Sequence, residues 1–258
     1  MPAGRNVFIT GASSGIGAAL ARHYAREGSN VGLFARRQAE LDALAASLPD
    51  ASRVATFAGD VRDAATLSAA VAGFIARFGA PDIVIANAGV SHGTLTEFAE
   101  DAAVFRAILE TNVLGIVHTF QPCIAPMRAA RGGVLAGIAS VAGFRGLPGA
   151  GAYSASKAAA ISYLESLRVE LAGSGIDVVT ICPGYVATPM TAGNPYRMPF
   201  LVDADKGAQL IARAVARRAR FYVFPWPMAA VGALLRRLPR PVYDRLARRA
   251  PHKPRQRG

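Results

Sequence analysis

The 258-residue sequence predicts an α/β fold, a doubly wound parallel sheet of about seven strands in one domain with a basic C-terminal extension. Three observations predict it. Short apolar runs alternate with longer stretches of helical period. The runs are apolar at consecutive positions, as strands covered on both faces must be. The excess of positive charge is confined to the end of the chain.

Taken in order, Val7-Phe8-Ile9, Val31-Gly32-Leu33-Phe34, Val54-Ala55-Thr56-Phe57, Ile83-Val84-Ile85-Ala86, Val134-Leu135-Ala136-Gly137-Ile138 and Val178-Val179-Thr180-Ile181 read as strands. Phe221-Tyr222-Val223-Phe224 makes a seventh. Ala-rich amphipathic stretches fill the intervals at roughly 15–28, 38–48, 63–78, 101–131, 152–173 and 204–219. Such alternation implies right-handed crossovers and a parallel sheet. No internal repeat or linker-like stretch divides the chain. Residues 1–225 are therefore expected to form the catalytic domain, with a substrate loop at about 185–203, and residues 226–258 the extension.

Just over half the residues, 52%, are apolar, enough for a large core. No uninterrupted apolar window of about 18 residues occurs, so a membrane-spanning helix is not expected. Arg5-Asn6-Val7-Phe8-Ile9-Thr10 runs straight into a glycine loop, without the pattern of a signal peptide. Cys123 and Cys182 are far apart and lack metal-type partners. They read as reduced buried thiols of a cytoplasmic protein, and no metal site is expected. The net charge is +12, but residues 1–212 hold 16 basic and 16 acidic side chains. Residues 213–258 hold 13 basic residues against Asp244 alone. A neutral body argues against nucleic-acid binding by the domain.

Thr10-Gly11-Ala12-Ser13-Ser14-Gly15-Ile16-Gly17 lies between the first strand and the first helix. Glycine lets the backbone turn sharply and approach a pyrophosphate, which the free N–H groups and dipole of the following helix then favour. At the end of the second strand, a carboxylate would bond a ribose 2′-hydroxyl. Here stand Phe34-Ala35-Arg36-Arg37. Guanidinium suits a 2′-phosphate because its planar fork binds bidentately and stays charged. The expected cofactor is NADP(H) rather than NAD(H). Ser140 follows the fifth strand, and Tyr153-Ser154-Ala155-Ser156-Lys157 opens a helix thirteen positions later. Tyr153 and Lys157 share a helical face at i and i+4. A neighbouring ammonium stabilises phenolate, which equips the tyrosine for acid/base work.

The glycine loop, Asp60-Val61, Asn87-Ala88-Gly89-Val90, Asn112, Ser140, Tyr153 with Lys157, and Pro183-Gly184 follow one another at fitting separations. Together they resemble the short-chain dehydrogenase/reductase family in its common form of about 250 residues, over roughly residues 5–225. The resemblance implies a Rossmann-like fold and a catalytic set of Ser140, Tyr153, Lys157 and Asn112. It implies that Tyr153 exchanges the proton with the substrate oxygen, which Ser140 hydrogen-bonds. Lys157 would lower the tyrosine pKa and bond the nicotinamide ribose, and Asn112 would hold a water of the proton relay. The implied cofactor set is Gly11, Ser13, Ser14, Gly15, Ile16, Gly17, Arg36, Arg37, Asp60, Val61, Asn87, Ala88, Gly89, Pro183, Gly184, Val186 and Thr188, with Tyr153 and Lys157. In it Asp60 would meet the adenine amino group and Thr188 the carboxamide. Asn87 is equally readable as a structural brace.

Substrate walls are expected from Ser91-His92, Val141–Leu147 and the loop from Tyr185 to about Leu201, whose Met190, Tyr196, Met198, Phe200 and Leu201 suit a lid. Their apolar character favours a hydrophobic carbonyl substrate or its alcohol, although the same residues could simply pack on the domain. The extension joins Trp226, Met228 and Ala229–Leu235 to Arg236, Arg237, Arg240, Arg245, Arg248 and Arg249, ending in an irregular-looking basic stretch. It reads either as a segment lying peripherally on the inner face of a membrane or as a helix at the interface of a homodimer or homotetramer. An NADP-binding sensor and a membrane-surface scaffold are the alternatives to an enzyme. Neither needs Tyr153 and Lys157.

Overall fold

Seven parallel strands form one sheet in the order β3-β2-β1-β4-β5-β6-β7. They are β1 (Asn6–Thr10), β2 (Asn30–Ala35), β3 (Val54–Ala58), β4 (Ile83–Ala86), β5 (Gly133–Ile138), β6 (Ile176–Pro183) and β7 (Phe221–Phe224). The structure, a computed structural model, describes residues 4–248 together with Lys253 and Arg255. Each strand coincides with one of the apolar runs.

Consecutive apolar positions feed two cores. Val7 and Ile9 of β1 enter the layer shared with α1 (Gly15–Arg26), α2 (Gln38–Ala46) and α8 (Ala204–Ala216), against Leu20, Leu41 and Ile211. Phe8 faces the other way, toward α3 (Ala64–Phe78), α5 (Gly115–Ala129) and α6 (Gly151–Glu170), among Phe74, Phe120 and Leu164. Its ring meets Phe74 edge-on at 5.5 Å, a geometry contributing about 1 kcal/mol beyond the area buried. The pattern thus encodes a sheet covered on both sides.

Residues 101–129 form one helical run: α4 (Asp101–Leu109), a wider π turn at Glu110–Leu114, then α5. By length and composition this run could cross a membrane, although polar residues interrupt its apolar stretches. Its inner face, with Ile108, Ile116, Phe120, Cys123 and Met127, is buried in the domain.

After the short α7 (Pro189–Ala192) and α8, the chain leaves β7 into α9 (Trp226–Arg237) and α10 (Arg240–Ala247). Of the basic end expected to be irregular, only Lys253 and Arg255 are among the described residues. Pro227 in the first turn of α9 and Arg236-Arg237 in its last suit the two ends of a helix. Arg249 of the predicted basic run lies outside the described residues. Strand order reverses between β1 and β4, which opens a crevice beyond their C-terminal ends.

Candidate active site

That crevice is a cleft of about 350 Å³. Gly11 turns out of β1 with φ +67°, and a Cβ there would lie 2.7 Å from the Cα of Ala88. Gly17 has another task. A Cβ on it would run into the Gly11 carbonyl, so it lets α1 pack against the loop. Among the described residues Gly11, Ser13, Ser14, Gly15 and Ile16 line the cleft, and Gly17 stands behind them. Asp63 caps α3 through the N–H groups of Ala65 and Thr66, and Asp203 caps α8 in the same way. Ser14 makes no such side-chain bond among the described residues, and the first turn of α1 carries no acid. That turn keeps N–H groups and positive dipole available to an anion, so the loop fits a pyrophosphate.

Arg36 and Arg37 follow β2, exposed on the rim of the cleft. Arg37 donates to Ser13 Oγ at 3.2 Å and pairs with Glu40 at 3.2 Å. Asp60 also lines the cleft, but its carboxylate is already engaged. Oδ2 accepts from the Arg62 guanidinium at 2.7 and 3.0 Å, and Oδ1 from the Arg62 N–H at 3.0 Å. These bonds hold its carboxyl below the usual range. Asn87 donates through Nδ2 to the carbonyls of Thr10 and Gly11, at 3.0 and 3.2 Å, and braces β4 to the glycine loop. Val61, Ala88, Gly89, Pro183, Gly184, Val186 and Thr188 complete the lining expected of them.

Tyr153 and Lys157 stand one turn apart on α6, and both line the cleft with Ser140. Lys157 Nζ is buried, 5.8 Å from the Tyr153 ring centroid, and donates to the Ile138 carbonyl at 2.8 Å. Burial draws its pKa down to about 8. Burial also raises the Tyr153 phenol; a hydrogen bond with Ser140 pulls it down, and the nearby Tyr196 pushes it up again. Loss of water is the larger effect on the phenol, and the hydrogen bond of the Lys157 ammonium goes to Ile138. Ser140 Oγ accepts from the Ala142 N–H at 3.1 Å.

Asn112 is fully buried in the π turn. Its Oδ1 accepts from the Val90 N–H at 2.8 Å, and Nδ2 donates to Val90 O at 3.0 Å and Ser156 Oγ at 2.9 Å. Both amide protons are used, so the side chain joins three elements, and among the described residues Asn112 is not part of the lining. Its neighbour Thr111 is. Any part of Asn112 in a water relay must come from its main chain.

Sequence reasoning missed Thr111, Thr191 and the approach of Tyr196 to Tyr153. For Thr191 a signal existed, because Thr188-Pro189-Met190-Thr191 spaces two hydroxyl residues as a cap and its third helical position. Thr191 Oγ1 accepts from Thr188 N at 3.1 Å and donates to Val186 O at 2.7 Å, shaping the start of the lid. Met190 of the lid lines the cleft, while Phe200 and Leu201 are exposed. The wall after Val90 has an unforeseen neighbour: Lys253 donates to Ser91 Oγ at 2.8 Å. Burial and the Lys253 ammonium together lower the His92 pKa.

Comparison with known proteins accords with this geometry. The family model for short chain dehydrogenases matches residues 5–197. An uncharacterized oxidoreductase of Myxococcus xanthus is 38% identical over 246 residues, covering 95% of this chain and 97% of the relative. The 11-beta-hydroxysteroid dehydrogenase A of Arachis hypogaea is 36% identical over 209 residues, covering 79% of this chain and 58% of that protein. The crystal structure of 3-ketoacyl-(acyl-carrier-protein) reductase from Brucella melitensis, complexed with NADH, superposes with a TM-score of 0.78 at 27% identity, covering 86% of this chain and 96% of that one. With its Rossmann-like sheet, its glycine loop and the Ser140, Tyr153 and Lys157 cluster, the chain belongs to the short-chain dehydrogenase/reductase family of oxidoreductases.

Proposed function

We propose that the protein is an NADPH-dependent oxidoreductase that reduces a hydrophobic carbonyl compound or oxidises the corresponding alcohol. The observation that carries this reading is the convergence of Ser140, Tyr153 and Lys157 in the cleft that the glycine loop opens. When bound, the dihydronicotinamide supplies the hydride, which leaves the chain one proton to manage. The Ser140 hydroxyl holds the substrate oxygen beside Tyr153, and Tyr153 passes its phenolic proton to that oxygen. The ammonium of Lys157 favours the phenolate left behind, and its pKa of about 8 lets it exchange protons near neutrality. Oxidation runs the same proton path in reverse.

Arg36 and Arg37 on the cleft rim support NADPH over NADH, since their charge suits a 2′-phosphate. Exposed Met190, Phe200 and Leu201 on the lid support a hydrophobic substrate. Exposed Leu114 and Val169 support a homodimer or homotetramer. The buried, unpaired Cys123 and Cys182 support a cytoplasmic location.

The test is Tyr153→Phe, assayed by NADPH consumption across acyl-chain ketones, steroids, quinones and sugars. NADPH binding should persist while turnover falls by about 100- to 10,000-fold, the usual contribution of a positioned acid. Near-normal turnover would remove Tyr153 from the centre of the mechanism.

A further inference from the structure

The two C-terminal helices are fastened to the domain on one side and bare on the other. On the inner side, a Cβ on Gly232 would come 2.5 Å from the Phe144 ring, and one on Gly184 would come 2.9 Å from Met228. Arg145 Nη1 donates to the carbonyls of Leu235 and Leu238 at 3.0 and 3.1 Å, and the Tyr243 hydroxyl donates to Gly146 O. On the outer side Trp226 is 79% exposed and Leu234 62%, with Val242 at 46% and Leu246 at 57%. Trp226 and Leu234 are two turns apart on α9, and Val242 and Leu246 one turn apart on α10, so each pair shares a face. Arg237, Arg240, Arg245 and Arg248 are exposed beside them, and Asp244 is the only acid from 226 to 248.

We propose that this outer face docks on the surface of a bilayer containing anionic lipid. Single exposed apolar residues are ordinary, but here five large ones, Val231 among them, share 21 residues with a cluster of arginines. That is the composition of a helix lying at an interface, where apolar burial and attraction to anionic headgroups add. The charge disfavours a second copy as occupant, since a two-fold contact would bring two arginine clusters together with one aspartate each to offset them. Exposed Leu234, Val242 and Leu246 disfavour nucleic acid, whose phosphates offer them nothing to bury against. The docked helices also hold the loop from Val141 to Leu147 that joins Ser140 to α6. A bilayer on their outer face would lie across the two helices from the expected substrate wall, and would concentrate a lipid-soluble carbonyl compound near the protein. This last step rests on the carbonyl-reductase reading; the docking does not.

The chain has a single tryptophan, and it lies on the docking face. Its emission in the full-length protein therefore reports the contact without any turnover. Vesicles of phosphatidylcholine with about one third phosphatidylglycerol should shift Trp226 emission to the blue and float the protein, and vesicles of phosphatidylcholine alone should do much less. Leu234→Gln/Leu246→Gln should weaken the partition coefficient by about tenfold per leucine. Arg237→Gln/Arg245→Gln should weaken it by about fivefold per arginine and flatten its salt dependence. Unchanged NADPH affinity shows that each variant is folded. Absence of a wild-type shift, or binding that both variants keep, overturns the proposal. So does a dimer in light scattering that Leu234→Gln dissociates while vesicles leave the protein unbound, which assigns the face to a second copy. Because no step requires turnover, a protein that binds vesicles but reduces no carbonyl refutes only the catalytic reading.

Discussion

Replacing Arg145 by leucine tests whether the C-terminal helices hold the loop between Ser140 and Tyr153 in its working shape. The substitution keeps most of the apolar stem and removes only the guanidinium. That group donates to the carbonyls of Leu235 and Leu238 at the end of α9 and lies 4.0 Å from the centroid of Tyr243. Charge-assisted hydrogen bonds contribute about 1.5 to 3 kcal/mol each, and a cation–π contact about 0.5 to 1 kcal/mol at exposed sites. Arg145 is half-buried and water can solvate the released carbonyls, so the lower ends apply and the loss is about 3.5 kcal/mol in all. For a chain of this length Tm should drop by roughly 7–14 °C in differential scanning calorimetry. Steady-state assays should show kcat reduced by roughly tenfold with NADPH affinity unchanged, because displacing Ser140 from Tyr153 costs positioning. A double-mutant cycle with Tyr243→Leu should return a coupling of about 0.5 to 1 kcal/mol. Unchanged Tm and kcat would refute the reasoning outright. A lower Tm with intact kcat would show that the loop keeps its shape without the helices.

Arg36→Ala/Arg37→Ala should reduce the preference for NADPH over NADH in kcat/KM by about 100-fold, equivalent to two charge-assisted contacts of about 1.5 kcal/mol; an unchanged ratio would contradict the cofactor assignment. Lys157 has a folded-state pKa of about 8 against an ordinary 10.5, so its contribution to stability is complete above pH 10.5 and lost as pH falls through 8. The stability of wild type relative to Lys157→Met should therefore rise between pH 8 and 10, toward a full span of roughly 3 kcal/mol. Urea titrations at each pH would show it, and parallel curves would mean that Lys157 is not desolvated. Gly17→Ala should destabilise the protein by about 1 to 3 kcal/mol through overpacking against Gly11 and weaken NADPH binding measured by fluorescence; an unaltered Kd would mean that α1 and the loop move independently.

The sheet was readable because a strand covered on both faces must be apolar at successive positions, and Val7-Phe8-Ile9 sends neighbours into opposite cores. The cleft was readable where main chain does the work, since the positive φ of Gly11 and the absence of an acid in the first turn of α1 follow from residue type. Side chains that bond across the fold were harder to read. Nothing near Asn112 in the sequence says that Val90 and Ser156 would take up its amide. Helical spacing places Lys157 close to Tyr153 but does not reveal how much water both lose. The amphipathic character of the extension was readable too, and in α9 and α10 proline and arginine occupy helix ends and exposed faces.

The attachment of α9 and α10 to the Val141–Leu147 loop bears on the order in which a growing chain becomes competent. A nascent protein that has emerged only as far as β7 already owns Ser140, Tyr153, Lys157 and the whole glycine loop, and can close its sheet. The guanidinium of Arg145 then still lacks the carbonyls of Leu235 and Leu238. If those bonds set the working shape of the loop, the nucleotide cleft should form before the reaction centre matures, and the latter should await α9 and α10. Fusions at the C-terminal end should accordingly disturb turnover before they disturb cofactor binding.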